Sequence, residues 1–459
     1  MRRVQRRVQL PVADLDDLAI GKVSPPAAAL TASRMLLPRL LATTVASSVR
    51  RASTIRSMAA LDVTGMPPGP FEVGVTTMQF DDASRKDPDT GGPRKLQTEI
   101  WYPAAAEAKG APRNTYSEYL GRGAIPGSIA AAETDDAIGG YLPGLTIAAL
   151  DASWPNQAVR DARPCGACAK QWPLVIFSHG SGAFRASYLY WTEFLASHGF
   201  VVMACDHAGS ARYTQLDGAV VKPGGKRSKR EQMERDRPKD MTFLIDCMEA
   251  LATHGGDSRF AGRVDTSRVA LTGMSFGGFA TAAALEAKDP RVKAAVMKCP
   301  SISMSGTGAL ATDRTDKTTP VMVMLGSEDT VIGEAGNAAG RTYVETHEGP
   351  AYLVEIVRGG HVSFTSCELY NPNYGNGIGE SKSLSKEGAT YTPLDIKEQH
   401  TVCNSYGLAF LNTHLRPEYC DGAGCGDYPA AGADASMAEY NAEYLKENHF
   451  GAEVRFKAK

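Results

Sequence analysis

Three residues far apart in this chain are of types that do chemistry together. Ser275 is the centre of Gly273-Met274-Ser275-Phe276-Gly277, set between a short apolar run and an alanine-rich one. Asp329 lies in Gly326-Ser327-Glu328-Asp329, just past the apolar run Val321–Leu325. His361 closes Gly359-Gly360-His361, just past Tyr352–Val357. A serine hydroxyl is a weak nucleophile at its free pKa and needs a base, with a carboxylate to orient that base. Glycines flanking such a serine allow a sharp strand-to-helix turn on which the hydroxyl projects, and the helix N-terminus behind it favours negative charge. The expected roles are Ser275 as nucleophile, His361 as base and Asp329 as orienting acid, with Glu328 as the competing carboxylate. A fourth part is Ser178-His179-Gly180-Ser181-Gly182, a glycine-rich loop able to aim a backbone N–H at a developing oxyanion. The expected donors are the N–H groups of Ser181 and Phe276. His179 reads as a loop residue rather than a second base.

These residues need a scaffold, and the apolar pattern supplies one. Phe71–Phe80 and Leu96–Pro103 read as strands. Leu174–Phe177, Phe200–Ala204, Val269–Leu271, Val292–Met297, Val321–Leu325 and Tyr352–Val357 read as buried strands. Helical spacing is expected over 188–198, 240–254, from Phe279 onward, and over 406–415. Continuous apolar strands alternating with helices predict an α/β fold, a mostly parallel central sheet with helices on both faces. Residues 104–170 and 366–400 read as irregular insertions, and 208–238 as a long, basic, solvated loop. The expected organisation is an N-terminal segment over 1–60, one domain over 61–416 and a polar C-terminal tail over 417–459.

Composition sets the limits. The 459 residues carry a net charge of −2, which implies no polyanionic partner such as nucleic acid. Residues 1–60 alone carry +7, and no acidic residue occurs from Leu18 to Ala60. That is the composition of an organelle transit peptide, with mitochondria among the addresses; a disordered tail on a cytoplasmic protein is the alternative. No apolar run approaches the ~18 residues of a membrane helix, which leaves a soluble or at most surface-associated protein. Nine cysteines are spread over a chain large enough to need no disulfide scaffold. Cys165 with Cys168, and Cys420 with Cys425, could close small loops or share a zinc ion; unpaired thiols and no metal are the expectation.

Longer stretches carry a resemblance. Val73-Gly-Val-Thr-Thr77, Thr98-Glu-Ile-Trp-Tyr-Pro103, Phe177-Ser-His-Gly-Ser-Gly-Ala-Phe-Arg185, Gly273-Met-Ser-Phe-Gly-Gly278 and Leu408-Ala-Phe-Leu-Asn-Thr-His-Leu415 resemble the α/β-hydrolase superfamily. Within it they are most similar to plasma-type platelet-activating-factor acetylhydrolases and dienelactone-hydrolase-like esterases, over about residues 70–416. The serine, acid, histidine order is the one that superfamily uses. The resemblance implies cofactor-independent hydrolysis of carboxylic esters. The substrate would be a small-molecule or lipid ester, with short acyl groups on a phospholipid favoured in the acetylhydrolases. Two features depart from it. Where the acetylhydrolases place their acid, after the strand following the serine, this chain has Lys298-Cys299-Pro300. Dienelactone hydrolases proper use a cysteine where this chain has Ser275. A thioesterase, peptidase, polyester hydrolase or non-catalytic binding protein of the same fold stays open.

Overall fold

The computed structural model describes residues 68–120, 151, 156–166, 171–302, 312–366, 381–416 and 452–459. In chain order its elements begin with β1 (Glu72–Lys86), β2 (Pro93–Ala104), α1 (Tyr116–Tyr119), β3 (Ala158–Arg160), β4 (Trp172–Ser178), α2 (Leu189–Ser197) and β5 (Val201–Cys205). β6 (Thr214–Leu216), β7 (Ala219–Val221), α3 (Arg230–Ala252), β8 (Val264–Met274), α4 (Phe276–Leu285) and β9 (Val292–Lys298) follow. The chain then forms β10 (Val321–Gly326), α5 (Gly333–Glu345), β11 (Ala351–Ile356), β12 (Ser381–Lys382), β13 (Thr390–Tyr391), α6 (Ile396–Leu415) and β14 (Val454–Ala458).

Among the described residues ten strands make one sheet in the order β14-β11-β10-β9-β8-β4-β5-β2-β1-β3. The six central strands from β11 to β5 are all parallel, while β2 and β14 join antiparallel. All seven residues of β4 are buried, because both faces of the sheet are covered. Its side chains alternate between two cores. Val175 and Phe177 pack with Trp191, Phe194, Phe410 and Leu411 of α2 and α6. Leu174 and Ile176 pack with Met241, Leu244, Ala280 and Tyr343 of α3, α4 and α5. The expected α/β architecture is therefore present.

Several stretches differ from the sequence reading. The segment over 208–238 is not all loop: β6 and β7 form a hairpin, and α3 starts at Arg230, with Pro238 inside it. Proline disfavours a helix interior, but tertiary contacts hold the turns around it. Asp236, Arg237 and Asp240 are buried, Arg85 donates to the Asp236 carbonyl, and Arg94 grips Asp240. Within 104–170, α1 is capped by Thr115 and Glu118, and β3 pairs with β1. Over 366–400, β12 and β13 pair and α6 begins at Ile396, ten residues before the expected start, with Asp395 capping it. The chain past 416 is not only a tail, since β14 pairs with β11 from Val454 to Ala458. The segment over 1–60 lies outside the described residues. No helix among the described residues is long and apolar enough to cross a membrane.

Candidate active site

Ser275 sits between the end of β8 and the start of α4, with φ at 55° and ψ at −118°. A positive φ on a non-glycine residue costs about 1–3 kcal/mol and must be held by its surroundings. Here the backbone is fastened on both sides. The Ser275 N–H donates to the Lys298 carbonyl at 2.9 Å, and the Ser275 carbonyl accepts from Ser301 and Phe279. The glycines leave no room for a side chain. A Cβ on Gly273 would lie 2.2 Å from the Gly277 carbonyl oxygen, and one on Gly277 would lie 1.9 Å from that of Ser178. The same tight turn brings α4 against the end of β4.

His361 and Asp329 meet directly, at 2.6 Å between Nδ1 and Oδ2. The other Asp329 oxygen accepts from the N–H groups of Val331 and Ile332. Asp329 is fully buried and the His361 side chain nearly so. Gln399 of α6 clamps the loop before His361, accepting from the Gly360 N–H at 3.2 Å and donating to the Gly360 carbonyl at 3.0 Å. Glu328 turns away. Its carboxylate accepts from Ser383 and Ser385 hydroxyls and from the Leu384 N–H.

Ser275, Cys299, Asp329 and His361 thus follow the C-terminal ends of four consecutive parallel strands, β8 to β11. Ligand crevices of open α/β sheets form at such ends. Cys299, with φ at 36°, lies between the serine turn and the pair; its sulfur is within 4.8 Å of the nearest Asp329 and His361 donor atoms. Among the described residues the Ser275 hydroxyl makes no hydrogen bond to His361, a contact that in ligand-free enzymes often tightens only with substrate bound.

The loop after β4 rests on a buried polar array that the sequence reading missed. The Ser178 hydroxyl lies 2.8 Å from His207 Nε2, and His207 Nδ1 lies 2.8 Å from Asp240. Burial alone would raise the Asp240 pKa, but bidentate Arg94 overcomes it and holds the carboxyl well below its usual range. Burial, and then the charge of Arg237, pulls His207 down to about 4. The imidazole is therefore neutral and donates from Nδ1 to Asp240. The array has the composition of a nucleophilic triad, yet all three side chains are sealed from solvent. His179 is also neutral, because burial lowers its pKa far below the ordinary value. Its Nε2 accepts the His207 N–H, so its proton is on Nδ1 and is donated to the Gly180 carbonyl at 2.7 Å. His207 and Asp240 gave no sequence signal beyond their type, since burial and ion pairing appear only once α3 is in place.

Ser181, at the tip of this loop, is exposed, and its N–H makes no backbone hydrogen bond among the described residues. Phe276 opens α4, so its N–H is one of the free donors of a helix start. A Cβ on Gly180 would approach Ser275 Cβ to 3.5 Å, which sets the loop beside the serine.

Among the described residues two donor groups could be considered for a metal ion: Cys205 with His207 and Asp240, and Cys299 with Asp329 and His361. The first is committed to arginines, with both Asp240 oxygens engaged. In the second, burial and the Asp329 charge push the Cys299 thiol well above its ordinary pKa, and the histidine and carboxylate bond each other. Cys165, Cys205, Cys247, Cys299 and Cys403 are free thiols. Cys168, Cys367, Cys420 and Cys425 lie outside the described residues. Lys298, at the strand end where the acetylhydrolases keep a carboxylate, is buried against aromatic rings, its Nζ 3.3 Å from the Trp191 ring centre.

Comparison with known proteins agrees with this architecture. The family model for platelet-activating factor acetylhydrolase, isoform II, matches residues 68–233, and one described as PET hydrolase-like matches 163–376. Platelet-activating factor acetylhydrolase of Cavia porcellus is 31% identical over 133 residues, 24% of this chain and 30% of the relative. That of Gallus gallus is 24% identical over 280 residues, 54% of this chain and 63% of the relative. The matches therefore span from 30% to 63% of the length of these relatives. A solved ferulic acid esterase from Streptomyces cinnamoneus superposes with a TM-score of 0.58 at 22% identity, covering 78% of this chain and 96% of that one. The chain is an α/β-hydrolase by fold, similar in sequence to the platelet-activating factor acetylhydrolases.

Proposed function

We propose that this protein is a serine hydrolase that cleaves carboxylic esters through an acyl-enzyme. The observation that carries the reading is the Asp329–His361 hydrogen bond, formed after β10 and β11 on the same row of parallel strand ends as the strained Ser275 turn after β8. His361 Nδ1–H donates to Asp329, which fixes the tautomer and leaves Nε2 free to take the Ser275 proton. The serine oxygen attacks the ester carbonyl carbon, and the N–H groups of Ser181 and Phe276 receive the oxyanion. Collapse expels the alcohol, protonated by the imidazolium. Water, deprotonated by His361, then attacks the acyl carbon and releases the acid and the free serine.

The substrate class we favour is an ester of a short acyl group, including short-acyl phospholipids such as platelet-activating factor. The sequence similarity to the acetylhydrolases supports it, and Lys298-Cys299-Pro300 at their acid position is the feature that weighs against it. The test is hydrolysis of p-nitrophenyl acetate by wild type and Ser275→Ala, with fluorophosphonate labelling of Ser275. Turnover by the alanine variant would remove Ser275 from the mechanism. Absence of both turnover and labelling in wild type would favour a non-catalytic binding protein. A panel of short-acyl phospholipid, feruloyl, thioester, peptide and polyester substrates then ranks the substrate classes by kcat/KM.

A further inference from the structure

Arg237 is a fully buried arginine with an unusual set of partners. Buried guanidinium groups are ordinarily matched by carboxylates, because an unmatched charge is costly to desolvate. Two other arginines among the largest fully buried side chains follow that rule: Arg94 pairs with Asp240, and Arg185 with Glu99 and Asp206. Arg237 pairs with no carboxylate among the described residues. Asp240, one turn along the same helix, is already held by Arg94 and Arg85. Arg237 instead donates to the His179 carbonyl at 2.6 Å, to the Gly180 carbonyl at 3.4 Å and to the Ser210 hydroxyl at 2.5 Å. Its guanidinium carbon also lies 4.5 Å from the centre of the Phe276 ring. Burial pulls its pKa down to about 9, so it keeps its charge at neutral pH.

These contacts fall on both halves of the oxyanion site. The Gly180 carbonyl and the Ser181 N–H belong to one peptide group. Donors pulling on that oxygen, Arg237 and His179 Nδ1, draw electron density across the amide and make the N–H a stronger donor. Ser210 extends the hold: its hydroxyl accepts from Arg237, and its carbonyl accepts the Gly182 N–H on the far side of Ser181. On the other half, the Phe276 ring lies against Arg237 and also against Arg230, 4.4 Å away, which fixes the residue that carries the second N–H.

We infer that Arg237 is a positioning residue: its buried cation aligns and polarises the Ser181 and Phe276 backbone donors for the negative charge of the transition state. The inference rests on the esterase reading given above and deepens it. Cation and donors are set before substrate arrives, which is the condition under which electrostatic stabilisation is most effective.

The test compares Arg237→Met, Arg237→Lys and, as a control, Arg163→Gln with wild type. Removing one oxyanion donor typically lowers kcat by roughly 10²- to 10³-fold, and Arg237→Met should fall in that range with KM changed less than about threefold. Its affinity for a trifluoromethyl ketone, which forms a tetrahedral adduct on the serine, should drop by the same factor as kcat/KM. Arg237→Lys should recover part of the loss, since it restores charge but not the planar fork. Arg163→Gln, a change at an exposed arginine paired with Glu107, should stay near wild type. A folded Arg237→Met with near-wild-type kcat and ketone affinity would overturn the inference while leaving the esterase reading intact. A wild type that neither turns over esters nor forms the adduct would fail the esterase reading instead. If Arg237→Met does not fold, Arg237→Lys decides: lowered kcat with retained KM supports the role, and unchanged kcat overturns it.

Discussion

Asp329 places one carboxylate oxygen 2.6 Å from His361 Nδ1, while Glu328, its neighbour in sequence, spends its carboxylate on Ser383, Leu384 and Ser385. The two acids after β10 therefore differ in role by geometry alone. If His361 is the base, replacing Asp329 with asparagine disturbs the tautomer that the mechanism needs, with a loss of roughly 10³- to 10⁴-fold in kcat. Glu328→Gln should leave kcat within a few-fold and weaken only the hold on residues 383–385. Steady-state kinetics on the two variants side by side check this, and a larger loss at Glu328 would reassign the acid.

The turn around Ser275 makes a stability prediction as well. Gly277 faces the Ser178 carbonyl so closely that an added Cβ would lie 1.9 Å from a backbone oxygen. Backbone at the end of a central strand cannot give way as a flexible side chain could. Gly277→Ala should cost at least the ~1–3 kcal/mol typical of overpacking and shift the serine turn. Thermal melting measures it, and a variant with unaltered melting and activity would show that the turn has slack.

How much of this was legible in sequence depends on the kind of interaction. The parallel core strands were readable because burial on both faces makes their apolar runs continuous, as in Leu174–Phe177. Ser275, Asp329 and His361 could be singled out because each follows such a run, so chain order substitutes for position. Order alone left Glu328 as a rival, and only side-chain direction separates the two acids. The start of α3 was hidden because Pro238 argues against a helix there; buried ion pairs to Arg85 and Arg94, more than 140 residues away, hold it. Arg237 was hidden for the same reason, since a basic stretch reads as solvated unless tertiary packing buries it. β14 is short, and the β11 side chains that meet it, Glu355 for Arg455 and Tyr352 for Phe456, come together only in the folded chain.

Lys298 gives a pH prediction. Its ammonium is buried with no hydrogen-bond partner among the described residues, and burial pulls its pKa down to about 7. The unfolded chain should titrate near the ordinary lysine value of about 10.4. Between these values the unfolded state binds more protons than the folded one, so stability from this group rises with pH. Below pH 7 the folded state carries the full cost of the buried charge. Lys298→Met, similar in length and apolar, should therefore be more stable than wild type at pH 6–7, and its advantage should shrink toward pH 10. Paired denaturation curves at several pH values test the sign, and an advantage that grows with pH would refute it.

Gln399 supplies the last prediction. It contributes two hydrogen bonds to the backbone of Gly360, one from each amide atom, and Gly360 precedes His361. Gln399 is itself fully buried on α6, so the loop carrying the imidazole is fixed to a helix rather than left to its glycines. Gln399→Ala removes two bonds worth about 1 kcal/mol each and frees the loop to sample other positions. Since His361 acts on the serine and not on substrate binding in the proposed mechanism, kcat should fall roughly tenfold, equivalent to about 1.4 kcal/mol of barrier, while KM stays nearly constant. Fluorophosphonate labelling of Ser275 should slow by a similar factor. A lower melting temperature with unchanged kcat and labelling would mean that Gln399 stabilises the loop without setting the position of His361.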